Sequence, residues 1–137
     1  MLKLADLKDM SDEEVLKHIA EEYAGEESGV TASYPDEETK AQLLAHLETV
    51  EVLIAYESVG MWGCDSSSFF LLRKPDGSLS EVNGSHCSCY GFEGQWDETE
   101  VLPEALKQKD WECILGGYDD EGTKNAEAIK AFVREQL

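Results

Sequence analysis

The chain has 137 residues, 42% of them hydrophobic, with 30 Asp and Glu against 11 Lys and Arg, for a formal net charge of −19. That length and apolar content suit one folded α+β domain spanning 1–137 and argue against wholesale disorder. The charge excludes a sequence-general nucleic-acid binder, which needs a basic footprint, and a peripheral protein held on anionic lipid.

Charge interrupts the opening residues Met1–Asp6 at once, and no apolar signal region follows. Leu2, Leu4 and Leu7 are read as a short lead-in helix. Ser11-Asp12-Glu13-Glu14 has the form of a capping box, and Val15, Leu16, Ile19 and Tyr23 follow near helical spacing, which predicts a helix over 11–24. Pro35-Asp36-Glu37-Glu38 opens a second helix, with Leu43, Leu44 and Leu47 as its stripe, ending near Thr49. Val50–Tyr56, Phe69–Arg73 and Leu79–Asn83 read as strands, the last two joined by a turn at Lys74-Pro75-Asp76-Gly77-Ser78. The 57–66 connection and the 84–100 stretch read as irregular. Pro103 starts a short helix to about Lys107, Trp111–Leu115 is a fourth strand, and Ala126–Leu137 a final helix. The expected architecture is therefore a small antiparallel sheet of three to four strands packed against helices. The longest apolar runs, Val52–Tyr56 and Phe69–Leu72, fall far short of a membrane span. A cytoplasmic location is expected, with Cys64, Cys87, Cys89 and Cys113 as thiols or metal ligands rather than disulfides.

The segment Gly84-Ser85-His86-Cys87-Ser88-Cys89-Tyr90-Gly91-Phe92-Glu93-Gly94-Gln95-Trp96 gathers two cysteines, a histidine and three aromatics. Thiolate and imidazole are the preferred ligands of zinc, so His86, Cys87 and Cys89 are candidate ligands, with Cys64 or Cys113 as a fourth. The single residue between Cys87 and Cys89 is tighter than the usual pair of spacers. Along a regular strand His86 would also point away from the two thiols. The competing reading makes these cysteines small buried hydrophobes. A nucleophilic cysteine would need a cation or base beside it, and the surrounding acids work against that. Asp36, Glu38 and Lys40 only superficially resemble a nuclease pattern, because acids are expected at a helix start anyway. Asp119-Asp120-Glu121-Gly122 fails as an EF-hand, since it puts Gly117 at the first ligand position. There is no P-loop, dinucleotide glycine pattern or nucleophile elbow, and no catalytic residue is assigned. Trp111 is expected in the core, while Trp62 and Trp96 are candidate interface anchors.

His86-Cys87-Ser88-Cys89-Tyr90-Gly91, then Glu93-Gly94-Gln95-Trp96, Ala105-Leu106 and the preceding Glu81-Val82-Asn83-Gly84, resembles a family of small acidic proteins of tailed phages and prophages. The likeness covers about residues 50–107, and Phe92 departs from the leucine expected there. It implies a phage or mobile-element source and a host-cell cytoplasmic setting, and no mechanism. The functional expectation is an interaction protein that inhibits or modulates a host machine, with evasion of host defence as one form. It would present an acidic, nucleic-acid-like face to a basic groove. The candidate face comprises Glu21, Glu22, Glu26, Glu27, Asp36, Glu37 and Glu38, with Trp62 and Trp96 as anchors. The alternatives are a zinc- or thiol-dependent protein using the 86–89 segment and a virion or morphogenesis component. Residues 1–60 carry 4 − 15 = −11 and residues 61–137 carry 7 − 15 = −8, so the acid is only mildly biased toward the N-terminal helices.

Overall fold

The computed structural model describes residues 1–25, 37–59, 66–86, 91–115 and 120–137. Its elements run β1 (Leu2–Ala5), α1 (Asp12–Tyr23), α2 (Glu37–Leu47), β2 (Glu51–Val59), β3 (Ser66–Arg73), β4 (Leu79–His86) and β5 (Thr99–Val101). They continue with α3 (Pro103–Lys107), α4 (Trp111–Ile114) and α5 (Asp120–Gln136). The strands stand side by side in chain order. β2, β3, β4 and β5 pair antiparallel, whereas β1 pairs with β2 in parallel. The fold is α+β, with five strands in a mixed sheet rather than the expected three or four antiparallel ones.

Local chemistry accounts for most of the ends. The Ser11 side chain accepts from the Glu14 amide at 3.2 Å, and Glu14 accepts from the Ser11 amide at 3.3 Å, so the capping box closes. Between β3 and β4, Lys74 N donates to Ser78 O, and the Asp76 carboxylate accepts from Ser78 N and Oγ. Gly77 takes the left-handed conformation this turn requires, at φ +88°.

Several expectations are corrected: β2 runs on to Val59, β4 to His86, Thr99–Val101 is a strand rather than irregular, and the final helix starts at Asp120 rather than Ala126. Leu2–Ala5 is a strand, because Leu2, Lys3, Leu4 and Ala5 pair in register with Ile54, Ala55, Tyr56 and Glu57, and Leu4 is buried there. Trp111–Ile114 is helical, with Leu115 as its C-cap. Asp110 precedes it and its carboxylate accepts from the Cys113 amide at 3.2 Å, a helix-start contact that outweighs the strand propensity of Trp111 and Ile114.

The sheet divides two apolar layers. On one face Val15, Ile19 and Tyr23 of α1 and Leu47 of α2 pack with Val52, Ala55, Phe70, Leu72, Val82 and Phe92. On the other, Leu106, Trp111, Leu115, Ala126, Ile129 and Val133 pack with Leu4, Leu53, Ile54, Tyr56, Phe69 and Leu71. Along β2 the register slips between Val52 and Ile54, a bulge at Leu53. The bulge puts Leu53 and Ile54 in the same layer, so the unbroken run Val52–Tyr56 is buried throughout. Among the described residues no helix is long and apolar enough to cross a membrane.

Candidate functional site

α1 and α2 pack on each other over one face of the sheet. Burying Val15, Ile19, Ala20 and Tyr23 on the inner side of α1 leaves Asp12, Glu13, Glu14, Glu21 and Glu22 outside, where Glu37 and Glu38 of α2 join them. Lys17 and Lys40 are the lysines these two helices contribute. Lys40 lies 3.9 Å from Glu21 and 3.5 Å from Glu37, tying the two helices together, and Lys3 pairs with Asp12 at 3.0 Å. Seven carboxylates and three lysines thus share one helical layer.

Beneath this layer sits a buried carboxylate. Glu57, on β2, is 8% exposed. The Tyr23 hydroxyl donates to its Oε2 at 2.8 Å, and His18 Nε2–H donates to both oxygens, at 2.9 and 3.1 Å. An unpartnered carboxylate here would be costly, and these donors offset that cost. The hydrogen bond to Glu57 raises the His18 pKa, with burial opposing and the Glu57 and Glu22 charges assisting. Burial, then the Glu57 charge, drives the Tyr23 phenol far above its ordinary value, so it stays a donor, while the neighbouring Ser68 hydroxyl partly offsets the rise. Ser68 stands opposite Glu57 in the register. Chemically the cluster is a locked brace between α1 and β2.

The segment Gly91–Glu98 folds over the C-terminal end of α1. Phe92 is buried and stacks on Tyr23 with centroids 4.6 Å apart. Trp96 meets Tyr23 edge-on at 5.7 Å and lies tilted over Phe70 at 5.2 Å. Gly94 N donates to Tyr23 O at 3.3 Å. Gln95 spans the segment, its Oε1 accepting from Ser85 N at 2.9 Å and its Nε2 donating to Gly91 O at 2.8 Å. The carboxylate of Glu98 accepts from Trp96 Nε1 at 3.0 Å and from His46 of α2 at 2.6 Å. The segment is a clip joining β4, α1 and α2.

The expected site residues are distributed accordingly. Glu21, Glu22, Glu37 and Glu38 share the α1–α2 layer, and Trp96 is half-buried, its ring occupied by Tyr23 and Phe70. Glu26, Glu27, Asp36, Trp62, Cys64, Cys87 and Cys89 lie outside the described residues. His86 closes β4 opposite Ser66, and its side chain also lies outside the description. Cys113 is a free, exposed thiol on α4, in the helical layer on the other side of the sheet. Among the described residues no group of three or more His, Cys, Asp or Glu could hold a metal ion. Sequence reasoning missed Glu57, His18 and Gln95. The signal for Glu57 was a carboxylate directly following the apolar run Val52–Tyr56, read as the strand's end when the strand continues to Val59.

Comparisons with family models, with curated proteins and with solved structures find no match.

Proposed function

We propose that the chain is an interaction protein of phage or mobile-element type that presents the α1–α2 layer to a basic partner, inhibiting or modulating a host machine. The supporting observation is the placing of seven carboxylates on one packed helix pair. Averaged over 7982 Å² of surface, 19 net charges give only about one per 420 Å², while duplex DNA carries roughly one per 110 Å² of its cylinder. Seven carboxylates less Lys3, Lys17 and Lys40 leave −4 over the exposed sides of the helix pair, with Glu13 and Glu22 on opposite flanks of α1. The brace and clip beneath fix the two helices that carry these carboxylates.

The test is affinity capture from a bacterial lysate with the full chain and with its Glu22→Lys/Glu38→Lys variant. The expected result is a nucleic-acid-binding protein or complex that is retained by the parent chain, displaced by added duplex DNA and by salt, and lost from the variant. A captured partner indifferent to salt and to the reversals would overturn the proposal.

A further inference from the structure

β5 lies at one edge of the sheet. Thr99, Glu100 and Val101 pair with Glu81, Ser80 and Leu79 on one side, and among the described residues no strand pairs with them on the other. Proteins commonly blunt such an edge with lysine, proline or a bulge. β5 contains neither lysine nor proline, and its register with β4 is unbroken. Leu102 continues the extended conformation, at φ −95° and ψ 149°, so Glu100 and Leu102 share a face. Pro103 then ends the edge, because it has no N–H to offer. Leu102 is 63% exposed, the most exposed large apolar side chain among the described residues. Beside it a groove of about 350 Å³ opens between the β3–β4 turn and the end of α5, lined in part by Arg73, Ser78, Leu102, Pro103 and Gln136. Arg73, the cation there, is already held by Glu51 at 3.3 Å. Residues 97–104 carry four acids and no base. Glu98 is engaged by His46 and Trp96, whereas Asp97, Glu100 and Glu104 are exposed and make no ion pair among the described residues.

We infer that the β5 edge takes an extended basic segment of a partner protein as a sixth strand, with Lys or Arg opposite Glu100 and an apolar side chain opposite Leu102. The unpaired N–H and C=O groups of the edge supply the pairing, and side chains at every second position supply the choice. Glu100 and Leu102 stand two residues apart, so the segment carries its cation and its apolar residue two apart as well. Opposite charges across a strand pair attract, and like charges repel. Asp97 and Glu104 extend the preference for a cation to both ends of the edge. The same rule disfavours a second copy of this chain, because β5 against β5 sets four acids against four with no base among them. The edge is available whether or not the α1–α2 layer has a partner.

The probe is the peptide acetyl-Thr-Lys-Thr-Val-Thr-Lys-Thr-amide, whose symmetric spacing fits either strand direction, titrated into the full chain and followed by backbone amide shifts. One comparator carries Glu in place of Lys. A second is N-methylated at every interior residue, which keeps the charge and removes the strand-forming N–H groups. The chain variants are Glu100→Lys/Leu102→Thr and Glu22→Lys/Glu38→Lys. All four substituted residues are exposed, threonine caps α3 better than leucine, and matching thermal melts establish that both variants fold. The expected result is saturable 1:1 binding with shifts centred on Thr99–Leu102, abolished for both comparators. Binding should weaken about fivefold or more in Glu100→Lys/Leu102→Thr and hold in Glu22→Lys/Glu38→Lys. Absence of saturable binding would overturn the inference, as would equal binding of the N-methylated peptide or undiminished binding by Glu100→Lys/Leu102→Thr. Loss of binding in Glu22→Lys/Glu38→Lys, with shifts in α1 and α2, would overturn it by placing the peptide on the acidic layer. A dimer through β5 that excludes the peptide would overturn it in favour of a second copy of the chain.

Discussion

His18 and Glu57 set a pH dependence whose sign follows from the geometry. The Glu57 hydrogen bond raises the folded-state pKa of His18 above its ordinary value of 6.5. Protonated His18 is therefore favoured by folding. The stabilisation is complete below pH about 6.5 and is lost as the pH climbs through the higher folded value. His18→Gln should cost about 1–2 kcal/mol near pH 6 and distinctly less near pH 9, read as the gap between parent and variant urea midpoints. A gap that is constant or widens with pH would contradict the assignment. Gly84 carries a second constraint at this scale. A Cβ there would run into Ser68 Oγ and come within 3.2 Å of the Phe92 ring. Gly84→Ala should therefore destabilise by about 1–3 kcal/mol in equilibrium unfolding, even though alanine suits a strand better than glycine.

Among the elements, the clip over Tyr23 is held as much by polar groups as by rings. Gln95 is its crosspiece, and Gln95→Ala leaves the Ser85 amide without its acceptor. The expected cost is about 1 kcal/mol, with faster hydrogen exchange at Ser85 and Gly94 and little change in α5, which lies beyond the sheet. The clip also marks how far the sequence was legible. Most elements whose cause is local were readable, namely the Ser11–Glu14 capping box, the Lys74–Ser78 turn and the proline that starts α3, whereas the equally local Asp110 cap of α4 was not. Elements whose cause is a distant partner were not. β1 is a strand because Ile54–Glu57 pairs with it, and β5 because Leu79–Glu81 does. The acidic helices could be placed from periodicity, so half of the candidate face was visible. The brace could not be seen, because Glu57 and His18 lie 39 residues apart and neither stands in a motif. Trp96, a candidate anchor, is occupied in packing together with Phe92 and Gln95, since a tight crossing of three elements needs the same glycines and aromatics as a binding loop.

For the molecule as a whole, the sheet separates two faces of different electrical character. α1 and α2 carry seven carboxylates against two lysines, whereas α3, α4 and α5 carry Lys107, Lys124, Lys130 and Arg134 against six acids. Repulsion among the α1–α2 carboxylates opposes folding, and Glu21 and Glu22 stand in the last turn of α1, where the helix dipole disfavours them. Asp12, Glu13, Glu14, Glu37 and Glu38 stand in first turns, where the dipole favours them, so folding and binding make different predictions only for Glu21 and Glu22. Glu22→Lys separates the two. It removes a carboxylate from the negative end of the helix and lowers the net charge, so the melting temperature should rise, by the equivalent of about 0.5 kcal/mol, with the gain shrinking in salt. The same substitution should weaken capture of the basic partner. If melting and capture both fall, the carboxylate is structural. If stability rises while capture is unchanged, the partner does not read this face.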